Sequence, residues 1–311
     1  MIDLNLSVQL APENSQGLLL SNPVIAASGT FGYGTEYADI IDSQELGAIV
    51  SKGITLLQRE GNPSPRLVET SSGLLNSIGL ENIGAEVAIR EKAPIWADWH
   101  TPVIVNIAGE SVDEYGQLAE MLGGVTGISG IEVNISCPNV AGGGMEFGTD
   151  PGIAAEVTSA VRKKTRLPVI IKLTPNVTDI SEIARAVVDA GADCLTIANT
   201  FKGMAIDITS RQPILGNTAG GLSGPAIKPL ALYLVYKVSQ TVKAPIIGCG
   251  GIASSSDAIE FIMAGASAIQ VGTATFADPQ TMTHTLNGIR QFMEKEGINN
   301  FTELIGTAIL R

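Results

Sequence analysis

Short apolar, β-branched runs recur along the chain, bounded by glycine, proline or asparagine and separated by stretches with helical spacing. They fall at residues 23–28, 48–52, 102–108, 130–136, 168–174, 194–199, 245–250 and 268–273. Near-continuous apolar runs of this length predict strands covered on both faces, as in a parallel sheet. Between the later runs the apolar positions shift to a helical period, at residues 180–190 and 256–264. Each of those stretches ends in Ala-Gly-Ala, a helix stop leading into the next strand. Eight strand–helix units in 311 residues predict an α/β fold, a (β/α)8 barrel of the TIM type. A doubly wound sheet is the competing arrangement. It would place its phosphate-binding glycines after the first strand, whereas the most suggestive glycines here follow the seventh and eighth.

Residues 6–10 and 18–20, joined by a turn bearing Pro, Asn and Gly, predict a hairpin ahead of the barrel. Two long insertions interrupt the regular spacing, residues 54–101 after strand two and 201–229 after strand six, and connections that long are usually functional. With no internal repeat, low-complexity run or linker, residues 1–311 are expected to form one domain. Hydrophobic residues make up 45% of the chain, as a packed core requires, and the formal charge of −12 argues against nucleic acid or an anionic membrane as partner. The N-terminus lacks the basic and apolar regions of a signal peptide, and no apolar segment approaches a bilayer span, so a cytoplasmic location is expected. Cys137, Cys194 and Cys249 are too scattered for a disulfide framework or a cluster, and His100 and His284 lack metal-ligand spacing. No metal site is expected. Redox chemistry in this chain would need a bound organic cofactor.

Barrels of this type carry their sites at the carboxyl ends of the strands. Reading side-chain phase along each strand places Ser28, Lys52, Asn106, Asn134, Ser136, Lys172, Asn199 and Thr200 there. Capping and hydration explain any one of these, but explain the convergence of lysines, asparagines and a thiol poorly. The glycines of 248–251 and 271–274 would let backbone N–H groups approach a phosphate, with a helix N-terminus at 254–257 beside them. Tight turns use glycine as well. Cys137, which ends the run Asn134-Ile-Ser-Cys, admits two readings. One is a small buried hydrophobe; the other is a thiolate acting as general base, since neither histidine is placed to serve a nucleophilic Cys/His pair. Cys194 and Cys249, inside strands, are expected to be buried hydrophobes. The glycine-rich loop 138–151 suits a lid that carries the thiol over a substrate, or is simply flexible.

The segments Asn22-Pro-Val-Ile-Ala-Ala-Ser-Gly-Thr-Phe-Gly32, Gly61-Asn-Pro-Ser-Pro-Arg66, Asn76-Ser-Ile-Gly-Leu80, Asn134-Ile-Ser-Cys-Pro-Asn139, Ile171-Lys-Leu-Thr-Pro175, Ala198-Asn-Thr200, Gly220-Gly-Leu-Ser-Gly-Pro225 and Gly248-Cys-Gly-Gly251 run in order over nearly the whole chain. Together they resemble the class 1 dihydroorotate dehydrogenases, flavoenzymes of pyrimidine biosynthesis, and residues 31–37 and 69–82 resemble the catalytic subunit of class 1B. The resemblance implies that the barrel binds FMN and oxidises dihydroorotate to orotate, with Cys137 as the catalytic base. It implies FMN contacts from Ser28, Lys52, Gly53, Asn106, Asn134 and Lys172, and from Ala198, Gly224, Gly250, Gly251, Gly272 and Thr273. Substrate contacts are implied for Lys52, Asn76, Ser77, Ile78, Gly79 and Leu80, and for Asn134, Asn199 and Thr200. Class 1B further implies a partner subunit carrying FAD and a 2Fe–2S cluster, electrons passing to NAD+, and a homodimer of this chain within a heterotetramer. Fumarate-reducing class 1A, a dihydropyrimidine-oxidising relative, an aldolase using Lys172 or Lys52 as a Schiff base, and a non-catalytic barrel are the alternatives.

Overall fold

The computed structural model describes residues 4–37, 39–136, 138–139 and 145–308. Eight parallel strands close into a barrel: β1 (Val24–Ala26), β2 (Ala48–Val50), β3 (Val103–Ile107), β4 (Gly130–Asn134), β5 (Val169–Lys172), β6 (Cys194–Ile197), β7 (Ile246–Cys249) and β8 (Ala268–Val271). They neighbour one another in chain order, and β8 pairs with β1 to close the ring. Each lies inside the run predicted for it. All eight runs overshoot at the carboxyl end, where residues such as Ser28, Lys52 and Ser136 leave the ladder and face a cavity instead.

The outer ring includes α1 (Val112–Leu122), α2 (Pro151–Lys164), α3 (Ile180–Asp189), α4 (Lys228–Ser239), α5 (Ser255–Met263) and α6 (Thr281–Glu296). Local chemistry sets the start of several. Ser111, Asp150, Asp179 and Ser254 cap α1, α2, α3 and α5 by accepting a hydrogen bond from a first-turn N–H. Proline occupies the first turn of α2 and α4, where it sacrifices no helical bond. In α3 the apolar stripe Ile180, Ile183, Ala184 and Val187 is buried against the barrel, and Gly191 beyond it takes φ +105°, which stops the helix. The core fills the space between strands and helices, from Val24 and Ile49 on the strands to Leu118, Val161 and Phe261 on the helices.

The predicted hairpin is present as Val8–Gln9 paired with Leu19–Leu20. Less expected is the way the two insertions meet. Leu67–Thr70 and Gly73–Asn76 come from the first, Phe201–Gly203 and Gly220–Ser223 from the second, and the four form one antiparallel sheet. Its central pairing, Gly221 with Asn76 and Leu222 with Leu75, joins segments about 145 positions apart. That sheet roofs the carboxyl end of the barrel.

Candidate active site

A cavity of about 860 Å³ opens at the carboxyl ends of the strands, between the barrel and the insertion sheet. Its floor is a polar network set into an otherwise apolar barrel. Glu132 on β4 is fully buried. Its Oε1 accepts from Asn106 Nδ2 at 2.8 Å, and its Oε2 from Thr196 Oγ1 at 2.8 Å and Gln270 Nε2 at 2.6 Å. Lys172, at the end of β5, stands above it with Nζ 3.6 Å from Glu132 Oε1. Two side chains bridge the pair. Gln270 Oε1 accepts from Lys172 Nζ at 3.1 Å, and Ser28 accepts from the ammonium at 3.4 Å while donating to Glu132 at 3.5 Å. Burial pulls the Lys172 pKa down more than any other single influence. The Glu132 charge, the Cys249 thiol and the contact with Glu132 together outweigh it, so the ammonium stands above the usual lysine value.

Three of these floor residues, Glu132, Thr196 and Gln270, are not among the site residues expected from sequence. Their signal was available: Glu132 lies two residues before Asn134 and four before Ser136, hence on the same face, and Gln270 is the polar member of Ala-Ile-Gln-Val. A polar side chain in a strand buried on both faces must find partners inside the barrel.

Above the floor, amides converge. Asn199 Nδ2 donates to Asn134 Oδ1 at 3.1 Å and to Ser136 Oγ at 3.0 Å, and its Oδ1 accepts from the Thr200 N–H at 2.8 Å. From α1 the Tyr115 hydroxyl donates to the Asn134 carbonyl at 2.7 Å, while its ring meets Phe147 edge-on at 5.4 Å. Asn76 on the insertion sheet donates to the Gly221 carbonyl at 3.1 Å, and Ser77, Ile78, Gly79 and Leu80 continue from it along the cavity wall. Lys52 faces the same wall with Nζ 3.7 Å from Glu81.

The far end is lined by the turns after β7 and β8 and by Gly224 from the second insertion. Gly250 and Gly251 have φ of +128° and +75°, and a Cβ at Gly251 would lie 2.7 Å from the Lys228 backbone nitrogen, so both backbone shape and space demand glycine. Gly272 and Thr273 face them, with Thr273 Oγ1 donating to Ser223 at 2.7 Å. The expected contribution of the helix N-terminus at 254–257 takes another form. Ser254 caps α5, and Asp257 turns back on the Ala253 N–H at 3.1 Å and meets Lys228 at 2.5 Å. The cavity wall includes Ala253 but neither Ser254 nor Asp257, so the glycine turns shape this end.

The model of the dihydroorotate dehydrogenase family matches residues 11–293. A protein of Geotalea uraniireducens named "Dihydroorotate dehydrogenase B (NAD(+)), catalytic subunit" is 53% identical over 305 residues, 98% of each chain. Same-named proteins of Geotalea daltonii and Desulforamulus reducens are 54% and 55% identical, over 97% and 99% of each chain. The chain belongs to the dihydroorotate dehydrogenase family.

All the residues that resemblance to the dihydroorotate dehydrogenases implies as cofactor or substrate contacts line the cavity. Cys137, the expected base, lies outside the described residues, as does the middle of the expected lid, residues 140–144. What is described on either side is Ser136, on the cavity wall, and a short antiparallel pairing of Pro138–Asn139 with Met145–Glu146. Glu146 lines the cavity and accepts a hydrogen bond from Thr174 at 3.1 Å. Gly53 sits close beside Asn106, whose Oδ1 would stand 3.0 Å from a Cβ there. The other two thiols differ from one another. Cys194 is fully buried, and burial pushes its thiol well above the usual range. Cys249, expected as a buried hydrophobe, instead reaches the cavity wall from the inward phase of β7; burial raises its pKa, and Lys172 opposes that rise. Neither histidine lines the cavity. Among the described residues no cluster of acidic, Cys and His side chains could hold a metal, and no helix is long and apolar enough to cross a membrane.

Proposed function

We propose that this chain oxidises dihydroorotate to orotate with FMN bound in the cavity, residues 1–311 serving as one catalytic barrel. The observation that carries the reading is the cavity itself. One end offers glycine turns suited to a phosphate, the floor offers a buried ammonium and amides, the roof offers further amides, and Lys52 stands on the wall. Its volume falls within the range typical of ligand sites. These groups fit a flavin mononucleotide: Gly224, Gly250, Gly251, Gly272 and Thr273 would take the phosphate. Ser28, Lys52, Gly53, Asn106, Asn134, Lys172 and Ala198 would hold the ring system.

FMN, once bound, supplies the acceptor for a hydride equivalent from the substrate. The chain's own residues do the rest. Asn76, Asn134 and Asn199 donate to and accept from the imide edge of the pyrimidine, as amides can. Lys52, Thr200 and the backbone of Ser77 to Leu80 hold its carboxylate side. Cys137 takes the proton from carbon 5 as carbon 6 gives up two electrons and its hydrogen, so that the carbon–carbon double bond of orotate forms. Lys172, kept protonated by its surroundings, supplies fixed positive charge where negative charge develops. The same raised pKa disfavours an imine-forming lysine at this position, which requires a neutral amine.

The relatives' names specify NAD(+) and a catalytic subunit, which supports the NAD+ branch over fumarate reduction. In that reading a partner subunit with FAD and a 2Fe–2S cluster receives the electrons, and two copies of this chain form the centre of a heterotetramer. The base assignment is tested by rapid mixing of the FMN-loaded protein with dihydroorotate. Cys137→Ala is expected to keep FMN yet slow flavin reduction by about 10²–10⁴-fold, and Cys137→Ser to recover part of the rate only at raised pH. An unchanged rate in Cys137→Ala removes Cys137 from the role.

A further inference from the structure

Glu132 is the only acidic side chain of the barrel floor among the described residues, and the flavin chemistry proposed above gives it no contact with ligand. Its two oxygens accept short hydrogen bonds from Asn106, Thr196 and Gln270, at 2.8, 2.8 and 2.6 Å. Those three sit on β3, β6 and β8, so one carboxylate ties together four strands of the ring, its own included. Lys172 is treated differently. Its contacts with Gln270, Ser28 and Glu132 are 3.1, 3.4 and 3.6 Å, all long for charge-assisted bonds, and the side chain still lines the cavity.

We infer that Glu132 is the positioning residue of this site: it fixes Asn106 and Gln270 by hydrogen bonds and sets its carboxylate 3.6 Å from Lys172, directing the ammonium into the cavity without binding it tightly. The inference rests on the flavin reading of the cavity. A tight, short ion pair would have consumed the ammonium; a neutral floor would have let burial strip its proton. The groups whose charge bears on Lys172 are Glu132 from β4 and the Cys249 thiol from β7. Of the two, Glu132 dominates. With it in place the ammonium persists up to and beyond the usual lysine range. Without it, only the weaker influence of Cys249 opposes burial, and the lysine loses its proton at a lower pH.

The test is FMN binding by the full-length apoprotein, followed by quenching of flavin fluorescence between about pH 6 and about pH 9, well below an ordinary lysine pKa. The parent chain is expected to bind with a dissociation constant that hardly changes over this range. Glu132→Gln is expected to bind more weakly, with a constant that rises about tenfold per pH unit once the lowered lysine pKa is passed. Glu132→Asp keeps the charge but shortens the reach, so its profile should stay flat while affinity falls. A flat profile in Glu132→Gln overturns the inference. Should that variant not fold, Glu132→Asp decides: unchanged affinity or a sloping profile overturns the inference, and weakened affinity with a flat profile supports it. A parent chain that binds no FMN overturns the flavin reading, and this inference with it.

Discussion

At the scale of single residues, the site is built on one buried charge pair with a deliberate looseness. Breaking a buried pair by removing one partner costs about 3–5 kcal/mol, because the other charge is left without compensation. Lys172→Met should therefore lower unfolding stability by roughly that amount in urea titrations and weaken FMN binding as well. Wild-type stability together with wild-type FMN affinity would remove Lys172 from both roles. Much at this scale was legible beforehand. Ser28, Lys52, Asn106, Asn134 and Lys172 follow from strand phase alone, because a polar side chain in the inward phase near a strand's carboxyl end has few other places to go. Glu132 and Gln270 lie deeper, where phase says inward but nothing local says with whom. Their partners come from other strands, between 26 and 138 positions away for Glu132, and only the closed ring brings them together.

At the scale of elements, the eight strands and their capped helices obey short-range rules, so pattern and punctuation locate them well. The insertion sheet does not. Its strands are short, and three of them are rich in glycine or polar residues, for example Gly220–Ser223, so neither alternation nor β-propensity marks them. What holds the sheet is pairing between two insertions distant in the chain. Gly221 is the joint: its carbonyl accepts from Asn76, and a Cβ there would lie 2.0 Å from Thr200 Oγ1. Gly221→Val should displace both Asn76 and Thr200 while leaving the barrel floor intact. The expected result is a KM for dihydroorotate raised roughly tenfold to a hundredfold, with FMN still bound. Loss of FMN with an unchanged KM would show that the sheet serves the cofactor and not the substrate.

At the scale of the whole molecule, the barrel provides a rigid ring and the insertions a roof, so catalysis and electron delivery can be separated. The chain has three cysteines, and the two described ones, Cys194 and Cys249, sit on neighbouring strands of the barrel wall without a metal-binding cluster around them. In the proposed scheme onward electron transfer is the work of the partner subunit. Steady-state assays of the purified chain should show little NAD+ reduction until an FAD and iron–sulfur subunit is added. Brisk fumarate reduction by the chain alone would instead place it with the fumarate-using branch.

The most direct measurement is an anaerobic titration of the FMN-loaded chain with dihydroorotate, following the flavin absorbance band. Stoichiometric bleaching, with one orotate formed per flavin reduced, is the predicted result. A chain that binds FMN but is not bleached by excess dihydroorotate would contradict the proposed activity.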